Sequence, residues 1–191
     1  MGRGKAVNQQ VAFIDVEATG LRRGSYPIEV GVALVLEGAL AKSDAWLVRP
    51  CPEWERDGLA WEPEAVSMTG LTPKFVGELG MPANELCERL EAVIGETGEV
   101  FCDGLPCDDV WMRKLYRGAD RRMPFDLRDV QELRRLAAKM SADRARALWE
   151  AKVAQVDAEV SLERHRAGPD AERLARAYLK LEPSAARPSF R

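Results

Sequence analysis

The stretch that most constrains this chain is Val11-Ala12-Phe13-Ile14-Asp15-Val16-Glu17-Ala18-Thr19-Gly20. It opens as an apolar run of β-formers with no helical period and ends at a glycine, the pattern of a short buried strand closing into a turn. On a strand, residues i and i+2 project to the same face. Asp15 and Glu17 therefore stand side by side at the end of a core strand. Adjacent anions repel, and burying either one unpaired is costly, so the pair calls for a counter-charge. For hard oxygen donors that counter-charge is a divalent cation such as Mg²⁺ or Mn²⁺. Taken alone, the pair also admits a plainer reading, with one acid facing solvent and the other capping a turn.

The 191 residues suit one domain over positions 11–181, with loose tails at 1–10 and 182–191. No stretch approaches the ~18 to 20 continuous apolar residues of a membrane span, so a membrane is not an expected partner. Basic residues near the start are not followed by an apolar leader core. Cys51, Cys87, Cys102 and Cys107 show no metal-finger spacing, and with a single histidine in the chain a zinc site is not expected. Reduced cysteines in the cytoplasm are the default reading. A net charge of −3 excludes a coat protein held to nucleic acid by bulk charge, though not an enzyme with a small charged cleft.

Along the chain, Ile28–Leu36 reads as a second β-rich run, Glu37-Gly38 as a turn, and Ala45–Arg49 as a third strand stopped by Pro50. A short helix is expected around Pro63–Met68, with Gly70 as its cap and a new helix start at Thr72-Pro73. Ala83–Gly95 has an apolar stripe of Leu86, Leu90, Val93 and Ile94 and reads as an amphipathic helix. Glu99–Cys102 reads as a short strand, Pro106–Tyr116 as a helix, Phe125–Leu127 as extended, and a helix follows from about Asp129. The Ala-, Glu- and Arg-rich segment Ser141–Arg166 predicts one long helix or two joined ones. Gly168-Pro169 breaks it, with Pro169 opening a last helix to about Leu181. A β-meander followed by alternating helices and strands makes a mixed-sheet α/β domain.

Two further acidic sites occur at helix starts. Asp108 and Asp109 follow Cys102-Asp103-Gly104-Leu105-Pro106-Cys107, and Asp170 follows His165-Arg166-Ala167-Gly168-Pro169. Acids in a first turn also serve the helix dipole, and a histidine before a helix break can be a plain polar residue, so each site alone admits a bland reading.

In this order, Asp15-x-Glu17-x-Thr19-Gly20, then Asp108 ahead of a helix, then His165-x-x-x-x-Asp170, the chain resembles the histidine subtype of the DEDD superfamily of 3′-to-5′ exonucleases. The resemblance spans roughly residues 11 to 180. It implies a ribonuclease H-like fold, with a mixed central sheet (an antiparallel meander plus parallel strands) flanked by helices. It also implies two divalent cations, Mg²⁺ or Mn²⁺, held by Asp15, Glu17, Asp108 and Asp170, with His165 as general base. The implied reaction is metal-dependent hydrolysis of phosphodiester bonds at the free 3′ end of single-stranded DNA or RNA. The alternative is a catalytically silent relative that binds nucleic acid or protein through the same fold. Asp108 is preferred over Asp109 because its place, five residues after Asp103 and three before Trp111, resembles the spacing of some members of that superfamily.

Thr19 and Gly20 in the first turn, Thr69 in Met68-Thr69-Gly70-Leu71, and Arg166 beside the histidine are the candidate substrate contacts. Glu29 has two readings, a solvent-side strand acid or a support of the site. Arg22, Arg23 and Arg164 form one set of candidate strand guides, and Arg113, Lys114, Arg117, Arg121 and Arg122 a second. Most arginines in so charged a chain are simply solvated. The five tryptophans suit base stacking, though core packing is their commoner use. A homodimer is common among such relatives, and the long Ser141–Arg166 helix could serve as its interface.

Overall fold

The computed structural model describes residues 10–55, 61–95, 99–133 and 141–181. Of the expected tails 1–10 and 182–191, residues 1–9 and 182–191 lie outside the described residues, while Gln10 is not tail but the first residue of β1. Three strands come first: β1 (Gln10–Ala18), β2 (Pro27–Leu36) and β3 (Ala39–Leu47). Helices α1 (Pro52–Glu55), α2 (Pro63–Thr69), α3 (Pro73–Leu79) and α4 (Ala83–Ile94) follow. The chain then runs through β4 (Val100–Cys102), α5 (Cys107–Gly118), β5 (Leu127–Asp129), α6 (Ala142–Glu159) and α7 (Ala167–Leu179).

One five-stranded sheet has the order β3-β2-β1-β4-β5. β1 to β3 form the expected antiparallel meander, while β4 and β5 run parallel to β1. This is the mixed sheet flanked by helices that the sequence predicts. No helix among the described residues is long and apolar enough to cross a membrane.

The alternation in β1 splits the core in two. Ala12, Ile14, Val16 and Ala18 pack with Ile28, Val30 and Val32 against α4 and α5, through Leu86, Leu90, Met112 and Leu115. Val11 and Phe13 face the other way, with Ala33, Val35 and Phe101, against Trp149 and Val156 of α6 and Leu174 and Tyr178 of α7. At ~25 cal/mol per Å² of apolar surface removed from water, two such layers are the main stabilising force on the sheet. Asp15 and Glu17 continue the Val11–Phe13 row, so they belong to the face that α7 covers.

Several boundaries differ from expectation, among them β5, which is Leu127–Asp129 rather than Phe125–Leu127, and α5, which runs on to Gly118. β3 begins at Ala39 rather than Ala45 because Glu37 and Gly38, both at positive φ (53° and 79°), turn the chain tightly enough to pair Ala39 with Leu36. Helix α6 stops at Glu159, where Val160 takes an extended conformation (φ −131°, ψ 124°), instead of running on to Arg166. Helix α7 begins at Ala167, so Pro169 lies inside its first turn, where no intrahelical N–H is required.

Candidate active site

Helix α7 reaches the sheet through a slot made of small residues. In the β1–β2 register Asp15 lies opposite Gly31, and Glu17 opposite Glu29. A Cβ on Gly31 would lie 2.0 Å from the carbonyl oxygen of Ala167, and one on Gly168 would lie 2.8 Å from the Cβ of Ala45. The absent side chains thus let the first turn of α7 rest on β2 and β3. Asp170 is thereby delivered to the row of Asp15 and Glu17. Carboxylate oxygens of Asp15, Glu17 and Asp170 all lie within 4.8 Å of one another.

Asp108 arrives from the other side, on the first turn of α5. It is 3 % exposed, and its Oδ2 is buried without a hydrogen-bond partner among the described residues. Neighbouring Asp109 instead pairs with Arg113 at 2.8 Å on the helix surface. The two aspartates, equivalent by composition, are separated by burial.

Electrostatically the cluster is frustrated. Burial, then Asp108, Glu17 and Asp103, raise the Asp15 carboxyl well above the usual range, against a lowering from Arg173. Burial, facing Glu29 and Asp108 push Glu17 up to about 7, while Arg166 opposes the rise. Asp108 is also pushed up to about 7, by burial and Asp103, against hydrogen bonds from Cys102 and the Gly104 backbone. Such groups are held near protonation by desolvation and mutual repulsion. The donor set of hard carboxylate oxygens and the orphaned Asp108 Oδ2 fit divalent cations of the Mg²⁺ or Mn²⁺ kind.

A stability prediction follows with a definite sign. Carboxyls whose folded pKa is raised stabilise the fold below their unfolded values near 4 and lose that contribution as pH rises through about 7. In chelator, the melting temperature should fall between about pH 5 and pH 8. Added Mg²⁺ or Mn²⁺ should restore it, and by more at pH 8 than at pH 6. Thermal scans at several pH values, with and without metal, check both halves.

His165 sits in the link between α6 and α7, exposed and in the left-handed region (φ 58°), an uncommon place for a side-chain-bearing residue. On either side the link is tied down. Arg164 binds Asp157 of α6 at 2.9 Å. Arg166 grips Glu29 with Nη2 donating at 2.6 Å and Nε at 3.0 Å, and the Ala167 N–H donates to the same carboxylate at 2.9 Å. Glu29, 2 % exposed, is thus a buried anchor for the start of α7.

The other candidates are placed as follows. The Thr19 hydroxyl accepts from the Tyr26 N–H at 3.2 Å and closes the turn after β1. Gly20, at φ 152°, lies against Glu62, whose Oε1 accepts the Arg22 N–H at 3.0 Å. The Thr69 hydroxyl donates to the Ala65 carbonyl and accepts from the Leu71 N–H, ending α2. Trp54, Trp111 and Trp149 are core residues.

Sequence reasoning missed Arg173 and the nearness of Asp103. Arg173 lies one turn beyond Asp170 and pairs with it, and its Nε is 3.4 Å from Asp157. The i, i+3 spacing of Asp170 and Arg173 on a helix was the available signal.

A mixed five-stranded sheet with helices on both faces is the ribonuclease H-like architecture. Solved structures agree. The nuclease domain of 3′hExo, a DEDDh family member bound to rAMP, matches with a TM-score of 0.68 at 14% identity, covering 96% of this chain and 98% of that one. A full-length 3′-exonuclease matches with a TM-score of 0.68 at 14% identity, covering 94% of this chain and 62% of that one. E. coli Exonuclease I in complex with a dT13 oligonucleotide matches with a TM-score of 0.63 at 14% identity, covering 91% of this chain and 42% of that one. The chain therefore spans about three fifths of the full-length 3′-exonuclease and less than half of Exonuclease I. No protein-family model matches the chain, and no curated protein matches it in sequence.

Proposed function

We propose that this protein is a divalent-metal-dependent 3′-to-5′ exonuclease acting on the free 3′ end of single-stranded DNA or RNA. The observation that carries the reading is the convergence of Asp15, Glu17 and Asp170 oxygens within 4.8 Å, beside a buried Asp108 whose Oδ2 has no partner among the described residues. Two divalent cations held by these four acids would supply Lewis-acid stabilisation of charge in an in-line displacement at phosphorus. The chain itself supplies position and protons. Strand β1 and helices α5 and α7 fix the carboxylates from three directions, so little reorganisation is needed when substrate arrives. His165, exposed in the link that leads into α7, is the general base of this reading and takes the proton of the attacking water.

Support for the reading comes from the chemistry named for the structural neighbours, 3′-exonucleases and Exonuclease I among them. The test is degradation of 5′-labelled single-stranded DNA and RNA oligonucleotides with Mg²⁺ or Mn²⁺ and with EDTA. A metal-dependent 3′-shortening ladder supports it, and no ladder on either sugar with either metal rejects it.

His165→Ala should lower kcat by ~10² to 10⁴-fold, the usual worth of a general base. Because the side chain is exposed at positive φ, the melting temperature should not fall, and His165→Gly should match or exceed the native value. Steady-state kinetics beside thermal scans check this. A second reading, a silent binding module, is favoured by the Arg173 contact, since a guanidinium already neutralises Asp170. That reading predicts no metal-linked rise in melting temperature.

A further inference from the structure

The outer face of α5 and the turn after it form a groove of about 280 Å³. Arg113, Arg117, Arg121 and Arg122 line it, with Val110 and Met123 among the apolar residues, and no acidic side chain belongs to its lining. In a chain of net charge −3 such a run of guanidinium groups is a local exception.

The four arginines are not equivalent. Arg113 pairs with Asp109 and Asp126, and Arg121 with Glu88 and Glu91. Arg117 and Arg122 are exposed and have no carboxylate partner among the described residues, although the Arg117 Nε donates to the Arg113 carbonyl at 3.3 Å. The groove opens at Val110, 54 % exposed and two residues beyond Asp108, so one helix carries both a candidate metal ligand and this surface. From Val110 to Gly118 that helix advances about 12 Å at 1.5 Å per residue.

We infer that this groove binds the phosphodiester backbone of the substrate strand upstream of the 3′ end being cut, with Arg117 and Arg122 as its charge contacts. The inference rests on the exonuclease reading for the identity of the strand. Guanidinium groups suit phosphate oxygens geometrically, and the half-exposed Val110 offers apolar surface beside them. Contacts of this kind carry no sequence preference and make affinity depend on salt.

The test uses the full chain and the double variant Arg117→Glu/Arg122→Glu. Binding of a 5′-fluorescein 20-nucleotide DNA is followed by anisotropy in EDTA across a salt series. Hydrolysis of p-nitrophenyl thymidine 5′-monophosphate, a single phosphodiester with no upstream strand, is followed with Mn²⁺. The groove predicts that the variant binds the 20-mer about tenfold more weakly, with a log–log salt slope smaller by about 1 to 2, and hydrolyses the small ester at the native rate. Arg117→Lys/Arg122→Lys should keep most of the native slope. Native affinity and slope in the Glu variant overturn the inference, as does an equal loss on the small ester. If the native protein hydrolyses neither the small ester nor the 5′-labelled oligonucleotides, the exonuclease reading fails, while the EDTA binding series still decides whether the groove holds a nucleic-acid backbone.

Discussion

On the exonuclease reading, Asp15→Asn should cut hydrolysis by ~10³-fold or more while making the metal-free protein more stable. The two effects have one cause. Asp15 sits between Glu17, Asp108 and Asp170, and its own charge is disfavoured by burial before any neighbour is counted. A neutral amide of the same shape removes one anion from the cluster. It thereby removes the repulsion from Asp108 and Glu17 that, after burial, raises the carboxyl at this position. At pH 8 in chelator we expect a gain on the order of 1 kcal/mol, read as a higher melting temperature. The gain should shrink toward pH 5, where the native cluster is already protonated. That loss of activity follows because several kcal/mol of charge stabilisation would depend on cations that the altered donor set would no longer hold. The metal-induced rise in melting temperature should largely disappear as well. Stability and activity that fall together would mean that Asp15 is an ordinary structural acid, paired with Arg173, and would remove the basis of the metal site.

The same opposition of charge and burial explains what could be read in the residues. Asp15 and Glu17 were legible because period-two alternation is a local property, and a strand buried on both faces leaves few places for an acid. Asp108 was preferred to Asp109 for its spacing to Asp103 and Trp111, and in the fold Asp108 is the buried one of the two. Edge strand β3 was half hidden. Its residues Lys42, Ser43 and Asp44 are polar, as an exposed edge requires, so no apolar alternation marks its first half.

The anchoring of His165 could not be read at all. Arg166 looked like a free cation beside a histidine, yet its partner Glu29 lies 137 residues away in sequence. Glu29 in turn looked like a solvent-side strand acid, one of the two readings it admitted. Pairings of that range are set by how α7 crosses the sheet, which no local pattern encodes. The end of α6 was hidden for a related reason. The composition of 160–166 does not forbid helix, but Arg164 and Arg173 converge on Asp157 and hold the link against α6.

Gly31 carries the largest structural consequence. In sequence it is an unremarked glycine in the middle of a strand, a position where alanine is ordinarily the better residue. Here its Cβ would stand 2.0 Å from the Ala167 carbonyl oxygen, 2.1 Å from the carbonyl carbon and 2.4 Å from the Gly168 nitrogen. All three are backbone atoms, which cannot rotate out of the way as a side chain can. Gly31→Ala must therefore lift the first turn of α7 from β2 by something near 1 Å. That motion pulls the Ala167 N–H and Arg166 from Glu29 and draws Asp170 from Asp15 and Glu17.

We expect a loss of about 3 kcal/mol, the upper part of the range for overpacking, measured by denaturant unfolding. Displacement of a reacting group by ~1 Å costs ~10²-fold in rate, so kcat should drop by about that factor. Gly38→Ala supplies the contrast. That glycine has φ 79° with nothing within 4 Å of a Cβ, so the cost there is backbone strain alone, about 1 kcal/mol, with activity unchanged. If Gly31→Ala proves no worse than Gly38→Ala, α7 does not rest on β2 as closely as described, and Asp170 reaches the cluster by another route.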